Sequence, residues 1–140
     1  MHRRTIGEVL ATAQSRLSRL TPREALAALR NGWTLVDTRS ADLIARDGAI
    51  PEAICVPLSV LEWRVDATSG HQEPALAGRE SQLILICEHG YSSSLAAVRL
   101  QDLGFIKTTD VIGGYAGWLA AGLPTSGRRT RGAASRAQSS

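Results

Sequence analysis

Short apolar runs alternate with segments of helical periodicity along most of this chain. Four of the runs are rich in branched side chains and bounded by turn residues, as buried strands are; they span 33–37, 54–57, 83–87 and 110–112. Helical segments fill the intervals, over 41–46, 59–65, 93–103 and 115–120. Strands and helices that alternate at these lengths predict right-handed crossovers and a mostly parallel sheet flanked by helices on both faces, which is an α/β fold.

Two further helices are predicted before the first strand. From residue 6 to residue 20, apolar side chains recur at three- and four-residue spacing, which indicates an amphipathic helix on the flank of the main domain. Thr21 and Glu24 then form a capping box around Pro22, a favourable first residue of a helix. We expect this second helix to run to about Arg30.

Composition divides the chain into three parts. Apolar content ends near Pro124, and the stretch 70–78 lacks periodicity, which predicts a surface loop. We therefore expect an N-terminal helical extension over 1–20, one domain over 21–124 and a disordered basic tail over 125–140.

The formal net charge of +3 comes from the tail rather than from the domain. Residues 126–140 hold four of the 16 basic residues and no acidic one, which leaves 12 basic against 13 acidic residues in the remainder. A nucleic-acid-binding face needs a basic stripe on a folded surface, and 4% aromatic residues are too few for base stacking. We expect no nucleic acid as partner; contact of the tail with an anionic surface stays open.

The chain carries no signal for a membrane or for secretion. No apolar run approaches the roughly 18 residues of a membrane-spanning helix, so no membrane is expected as partner. The two cysteines are expected to be reduced thiols in a cytoplasmic protein. An Arg-rich start would also fit a mitochondrial transit peptide, against which Glu8 counts. Cys55 lies in a predicted strand, which favours a buried, inert thiol; its alternative role is to resolve an oxidised Cys87.

The segment around Cys87 carries the chemistry. An apolar strand delivers this cysteine to the carboxyl edge of the sheet, where open α/β sheets bind their ligands. A loop that would form an anion cradle of backbone amides follows, consisting of Glu88, His89, Gly90, Tyr91, Ser92 and Ser93. Oriented amides and a helix N-terminus favour a thiolate over a thiol, which makes Cys87 the predicted nucleophile.

Four segments resemble, in order and spacing, the successive signatures of a single-domain rhodanese. They span 36–39, 48–54, 87–93 and 113–118. The resemblance covers about 20–124 and implies a rhodanese fold with sulfurtransferase activity, the loop cysteine carrying a persulfide. It further implies thiosulfate or a persulfide as the donor, a thiol, cyanide or protein as the acceptor, and no metal or organic cofactor.

The loop departs from the pattern of many rhodaneses, which place an arginine within it or at its end. Here Glu88 adds a negative charge, and Ser92 and Ser93 are neutral. Arg64 is the best candidate to supply the missing cation; the alternative for Arg64 is a surface ion pair with Glu62 or Asp66.

Related phosphatases close a longer cysteine loop with an arginine that clamps phosphate with two parallel hydrogen bonds. Ser93 stands six positions after Cys87. Phosphatase or arsenate reductase activity therefore ranks below sulfur transfer.

The remaining candidates receive supporting or structural roles. Asp37 and Arg39 are expected to orient the backbone near the site through hydrogen bonds, and His89 is expected to face solvent rather than act as a base. The spacing of His and Cys does not fit a zinc site. The glycines 113–114 predict a close backbone approach, and Trp118 predicts a core position. Two functional alternatives stay open: a non-catalytic binding module that uses the N-terminal helix or the tail, and a redox-sensing thiol protein.

Overall fold

Four parallel strands form the centre of the protein. The computed structural model describes residues 3–127. Its strands are β1 (Thr34–Asp37), β2 (Ile54–Cys55), β3 (Leu83–Ile86) and β4 (Thr109–Asp110), and they lie in the order β2-β1-β3-β4. The two central strands β1 and β3 are buried along their whole length, which explains why their sequences do not alternate with polar residues. The predicted α/β fold is confirmed.

Within residues 3–127, six α-helices connect or flank the strands. They are α1 (Ile6–Ser15), α2 (Pro22–Leu29), α3 (Ala41–Asp47), α4 (Leu61–Val65), α5 (Ser92–Asp102) and α6 (Gly114–Ala120). The capping box predicted at the start of α2 is present: the Glu24 amide donates to Thr21 Oγ1 at 3.1 Å, and the Thr21 amide donates to Glu24 Oε1 at 2.9 Å.

The N-terminal helix is shorter than the apolar periodicity predicts. It ends at Ser15, because Leu20 pairs with the last strand instead of continuing the helix. The Leu20 amide donates to Asp110 O at 3.1 Å, and the Ile112 amide donates to Leu20 O at 2.8 Å. The segment after α1 therefore lies along β4, next to the carboxyl edge of the sheet.

Alternate strand residues build two apolar layers, one on each face of the sheet. On one face, Val36 and Leu85 pack with α4 and α5; on the other, Leu35 and Ile84 pack with α2 and α6. The largest buried side chain of the second layer is Trp118, as the sequence predicts, and its indole N–H donates to Pro124 O at 2.9 Å.

Two connecting segments contain order that the sequence does not predict. The predicted surface loop 70–78 contains a turn of 3-10 helix, Pro74–Leu76, that places Leu76 fully in the core. The backbone of Ser126 pairs with Ala49 through two hydrogen bonds of 2.7 and 2.8 Å, so ordered pairing continues past the predicted boundary at Pro124. The rest of the predicted tail, 128–140, lies outside the described residues. Within 3–127, no helix has the length and apolar character that crossing a membrane requires.

Candidate active site

Cys87 lies directly after β3, at the carboxyl edge of the sheet, and a short loop joins it to α5. The residue is 5% exposed. The sulfur accepts hydrogen bonds from two backbone amides, Gly90 N at 3.2 Å and Ser93 N at 3.3 Å. Two of the amides in the predicted cradle therefore converge on the sulfur, and partial positive charge at both favours a negative sulfur.

The start of α6 holds the outer side of the loop. The Tyr115 amide donates to Cys87 O at 2.7 Å, and the Ala116 amide donates to Glu88 O at 3.0 Å. In a planar trans peptide the N–H points opposite to the C=O, so these contacts direct the amides of Glu88 and His89 away from α6.

Glycine permits this close contact between loop and helix. A Cβ on Gly114, whose φ is +59°, would lie 2.5 Å from Cys87 O. A Cβ on Gly90, whose φ is +85°, would lie 2.8 Å from the amide nitrogen of Gly113. The glycine pair 113–114 thus makes the close backbone approach that the sequence predicts.

Asp110 supports the loop from the neighbouring strand β4. Its carboxylate is fully buried, and Oδ2 accepts hydrogen bonds from the hydroxyls of Ser93 and Ser94, both at 2.7 Å. Asp110 is not among the site residues that the sequence predicts. The signal that could have found it is a carboxylate at the start of the short apolar run 110–112, because a buried charge needs partners.

Arg19 supplies a cation behind the loop. Its Nε donates to Asp110 Oδ1 at 2.8 Å, and its Nη2 donates to Gly90 O at 2.9 Å. The side chain is 16% exposed. The sequence does not predict this role either, because nothing in the residues around Arg19 marks it as a partner of a loop about seventy positions away.

Arg64 lies in a different set of contacts. Its Nη2 pairs with Glu73 Oε1 at 2.5 Å, and its Nη1 donates to His71 O at 3.0 Å. Of the two surface partners considered for it, Glu62 pairs with Arg99 and Asp66 accepts hydrogen bonds from Thr68. In the part of the chain that the structure describes, no hydrogen bond joins Arg64 to the Cys87 loop. The role of Arg64 toward a sulfur donor stays a prediction.

Asp37 and Arg39 form a buried ion pair next to the site. The guanidinium Nη2 donates to Asp37 Oδ2 at 2.7 Å and to Gly48 O at 2.9 Å, and the group stacks 3.7 Å from the centre of the Tyr115 ring. Burial by itself lowers the pKa of Arg39, but the hydrogen bonds and charge of Asp37 raise it above the usual value. The guanidinium therefore stays charged at all ordinary pH values.

The negative charge of Glu88 faces this guanidinium. Glu88 Oε1 lies 4.0 Å from Arg39 Nη1, and both atoms are buried without a hydrogen-bond partner. Glu88 therefore directs its carboxylate toward a cation beside the loop. His89 is exposed, as expected, and its ring lies 6.4 Å from that of the exposed Tyr91.

The expectation that Cys55 is buried is wrong. It belongs to the two-residue edge strand β2 and is exposed, because no strand among the described residues covers the outer side of β2. Its backbone is aligned with Asp37, and Asp37 is aligned on its other side with Ile86. Two strand spacings, about 10 Å, therefore separate the Cα atoms of Cys55 and Ile86, whereas a disulfide needs Cα atoms within about 7 Å. A disulfide between Cys55 and Cys87 would require the backbone to move.

We expect Cys55 to react slowly with iodoacetamide at neutral pH. Partial burial of the thiol raises its pKa above the usual value, the Asp37 carboxylate raises it further, and Arg39 offsets part of this effect. A raised pKa lowers the thiolate fraction at any given pH, so the labelling rate should rise only at alkaline pH. Peptide mass spectrometry of samples labelled at neutral and at alkaline pH measures this. If the labelling rate of Cys55 reached half its maximum at a lower pH than the rate of free cysteine does, the expected rise in the pKa of Cys55 would be contradicted.

Metal ligands are not clustered in the described part of the chain. No group of three or more His, Cys, Asp or Glu side chains in residues 3–127 could hold a metal ion. Around the Cys87 sulfur, the described residues supply backbone amides and two arginine–aspartate pairs.

A family comparison accounts for this arrangement. The profile of the rhodanese-like domain matches residues 21–121. The chain belongs to the rhodanese family. The sheet, the cysteine loop and the glycine pair that contacts it all lie within the matched region of this rhodanese.

Several relatives of this rhodanese are named sulfurtransferases. Thiosulfate sulfurtransferase GlpE of Pseudomonas savastanoi is 31% identical over 102 residues, which are 73% of this chain and 87% of that protein. An adenylyltransferase and sulfurtransferase of Zea mays is 35% identical over 63 residues, or 45% of this chain, but this chain spans only 13% of its length. The family and these relatives support a sulfurtransferase-type enzyme.

A solved structure from Rhodopseudomonas palustris carries a different description. That protein of unknown function, described as a possible tyrosine phosphatase, has 30% sequence identity and a TM-score of 0.79. The match covers 90% of this rhodanese and 97% of that chain, so the two share the fold over nearly their whole length.

Proposed function

We propose that this rhodanese moves a sulfane sulfur from thiosulfate or a persulfide donor to a thiophilic acceptor, through a persulfide on Cys87. The observation that carries the proposal is the pair of backbone amides, Gly90 N and Ser93 N, within 3.3 Å of the Cys87 sulfur. Sulfurtransferase relatives at about 30% identity agree with it.

The proposed reaction has two steps. The Cys87 thiolate attacks the outer sulfur of thiosulfate; the new S–S bond forms while the sulfur–sulfur bond of the donor breaks, and sulfite leaves with the bonding pair. An acceptor nucleophile then attacks the terminal sulfur of the persulfide, and Cys87 leaves as a thiolate. A thiolate acceptor becomes a persulfide and cyanide becomes thiocyanate, so no external oxidant or reductant is consumed.

Negative charge stays near the same atom throughout both steps. It lies first on the Cys87 thiolate, then on the terminal sulfur of the persulfide, and finally on the thiolate again. The amides of Gly90 and Ser93 are held in place before the reaction begins, so they stabilise this charge without reorganising. The persulfide carries its charge one atom beyond the Cys87 sulfur, and we propose that the amides of Glu88 and His89, which the α6 contacts direct away from that helix, help to stabilise it.

Phosphoryl transfer fits the site less well. The position that would hold the closing arginine of a phosphatase loop is Ser93, whose buried hydroxyl donates to Asp110 Oδ2. A forked cation that binds two phosphate oxygens is therefore missing from that position. The redox-sensor alternative needs the backbone movement described for Cys55 and Cys87.

Thiosulfate loading tests the proposal against the binding-module alternative. After incubation with thiosulfate, the intact protein should gain the mass of one sulfur atom, dithiothreitol should remove it, and cyanide should remove it as thiocyanate. The same measurement with a cysteine persulfide donor covers the second donor class. If the protein gains no sulfur from either donor, the proposed function is wrong and the binding module is the better interpretation. The physiological acceptor and the cytoplasmic location stay predictions.

A further inference from the structure

A segment outside the matched family region contacts the cysteine loop. Arg19 lies two residues before the match, which begins at residue 21. Its guanidinium spans two groups: it binds both carboxylate oxygens of Asp110, at 2.8 and 3.2 Å, and it donates to Gly90 O at 2.9 Å. Gln14 of α1 and Ser94 of α5 lie at 3.5 and 3.3 Å from the same carbonyl oxygen.

This contact determines how one peptide of the loop is oriented. Gly90 donates its own N–H, which belongs to the preceding peptide, to the Cys87 sulfur, and Arg19 holds the Gly90 carbonyl, which belongs to the following peptide. Because the peptide between Gly90 and Tyr91 is planar and trans, the N–H of Tyr91 points away from Arg19. Gly90 has a φ of +85°, and a glycine can adopt other backbone conformations at little steric cost. An external contact is therefore needed to fix the orientation of this peptide.

Asp110 connects the same guanidinium to the other amide that contacts the sulfur. Its buried carboxylate accepts the hydroxyls of Ser93 and Ser94, and Ser93 donates its backbone N–H to the Cys87 sulfur. Removing Arg19 would leave the Asp110 carboxylate without its cation and would remove the shortest of the hydrogen bonds to the Gly90 carbonyl, at 2.9 Å. Arg19 is therefore linked to both residues whose amides contact the sulfur, to Gly90 directly and to Ser93 through Asp110.

We infer that Arg19 is a positioning residue for Cys87: it holds the Gly90 and Ser93 amides on the sulfur, and the N-terminal segment is thereby a working part of the active site. The inference rests on the proposed function and adds to it a residue outside the family match. Arg19 does not touch the reacting sulfur. It acts through Gly90 and Asp110.

Arg16 provides a matched control in the same segment. It also attaches the N-terminal segment to the domain, through Asp102 of α5 at 2.8 Å, but both side chains are exposed and neither contacts the loop. Arg16→Ala therefore weakens the attachment of the segment without touching the cradle. A purely structural role of the segment would make the two arginines similar in their effects.

The experiment measures the reaction of Cys87 with iodoacetamide in full-length protein that carries Cys55→Ser. We expect Arg19→Ala to slow this reaction about tenfold at pH 7, because charge-assisted hydrogen bonds that fix the two amides are lost. Arg16→Ala should stay within about twofold of the parent protein. Guanidinium added at about 0.05 M, where its denaturing effect is small, should restore part of the rate in Arg19→Ala. It should not raise the rate in the parent protein or in Arg16→Ala.

Arg19→Lys keeps the test decisive if the alanine variant does not fold. A lysine retains a charge beside Asp110, but a single ammonium cannot span the carboxylate and the Gly90 carbonyl as the planar fork does. We expect the lysine variant to fold and to remain slow toward iodoacetamide. A lysine variant as fast as the parent protein, or an Arg16→Ala variant as slow as the Arg19 variants, would overturn the inference.

Sulfur uptake from thiosulfate, measured on the same proteins, separates the two proposals. If the parent protein takes up sulfur and the Arg19 variants do so at the same rate, the inference fails and the proposed function stands. If the parent protein takes up none while the iodoacetamide rates differ as expected, the positioning of the sulfur stands and the proposed function fails. Thermal unfolding of each variant distinguishes a slower folded protein from a partly unfolded one.

Discussion

Cys87→Ser is expected to abolish sulfur uptake, whereas Cys55→Ser is expected to retain it. A serine hydroxyl at position 87 would fit the same two amides, but it does not ionise at neutral pH and cannot attack a sulfane sulfur. Cys55 lies on an exposed edge strand, outside the contacts that hold the Cys87 sulfur. Intact mass after thiosulfate loading, followed by cyanide release of thiocyanate, measures both variants.

The matched pair also separates transfer through Cys87 from transfer through the second thiol. Circular dichroism should show both variants folded, since the serine substitution is nearly isosteric. A Cys87→Ser protein that still gains one sulfur would place the persulfide on Cys55 and would contradict the proposed mechanism. Loss of uptake in Cys55→Ser alone would point to the same conclusion.

Gly114→Ala is expected to destabilise the protein and to disable the loop together. The new Cβ would lie 2.5 Å from Cys87 O and 2.7 Å from Gly90 N, both backbone atoms that cannot rotate away. The left-handed φ of +59° adds strain of about 1 kcal/mol, and the clash in a packed region adds about 2 kcal/mol. We expect the free energy of unfolding, measured with urea, to fall by about 3 kcal/mol and sulfur uptake to fall at least about tenfold.

Gly122→Ala is the control for the strain alone. Gly122 also has a left-handed φ, +72°, but a Cβ added there would meet no heavy atom within 4 Å, so a loss of about 1 kcal/mol is expected and sulfur uptake should be unchanged. Equal losses of stability in the two variants would mean that the contact between α6 and the loop contributes nothing beyond backbone strain.

The main elements of the fold could be predicted because their signals are local. The capping box at Thr21 is formed by residues only three positions apart, and the apolar run of β3 spans only four residues. The structure contains both elements. The end of α1 could not be predicted in this way. Apolar periodicity continues to Leu20, but pairing of that residue with β4 ends the helical path earlier.

The supporting residues of the site show the same division. Asp37 and Arg39 are two positions apart in a motif that the resemblance pointed to, but their ion pair with each other is a finding of the structure. Arg64, the cation that the sequence predicts for the loop, pairs with Glu73, while Arg19 contacts the loop from behind. The role of Arg64 toward a sulfur donor stays a prediction. Charge alone does not say which of several arginines a loop will contact, because any of them can find an acidic partner nearby.

By itself, the sequence determined the α/β order of elements and the cysteine that follows β3, since periodicity, caps and the spacing from Cys87 to Ser93 are properties of neighbouring residues. Only the tertiary structure decided that Arg19 reaches a carbonyl 71 positions away and that the edge strand leaves Cys55 exposed. The physical reason is that the partners of a buried charge and the cover of an edge strand come from distant parts of the chain, which meet only when the sheet assembles.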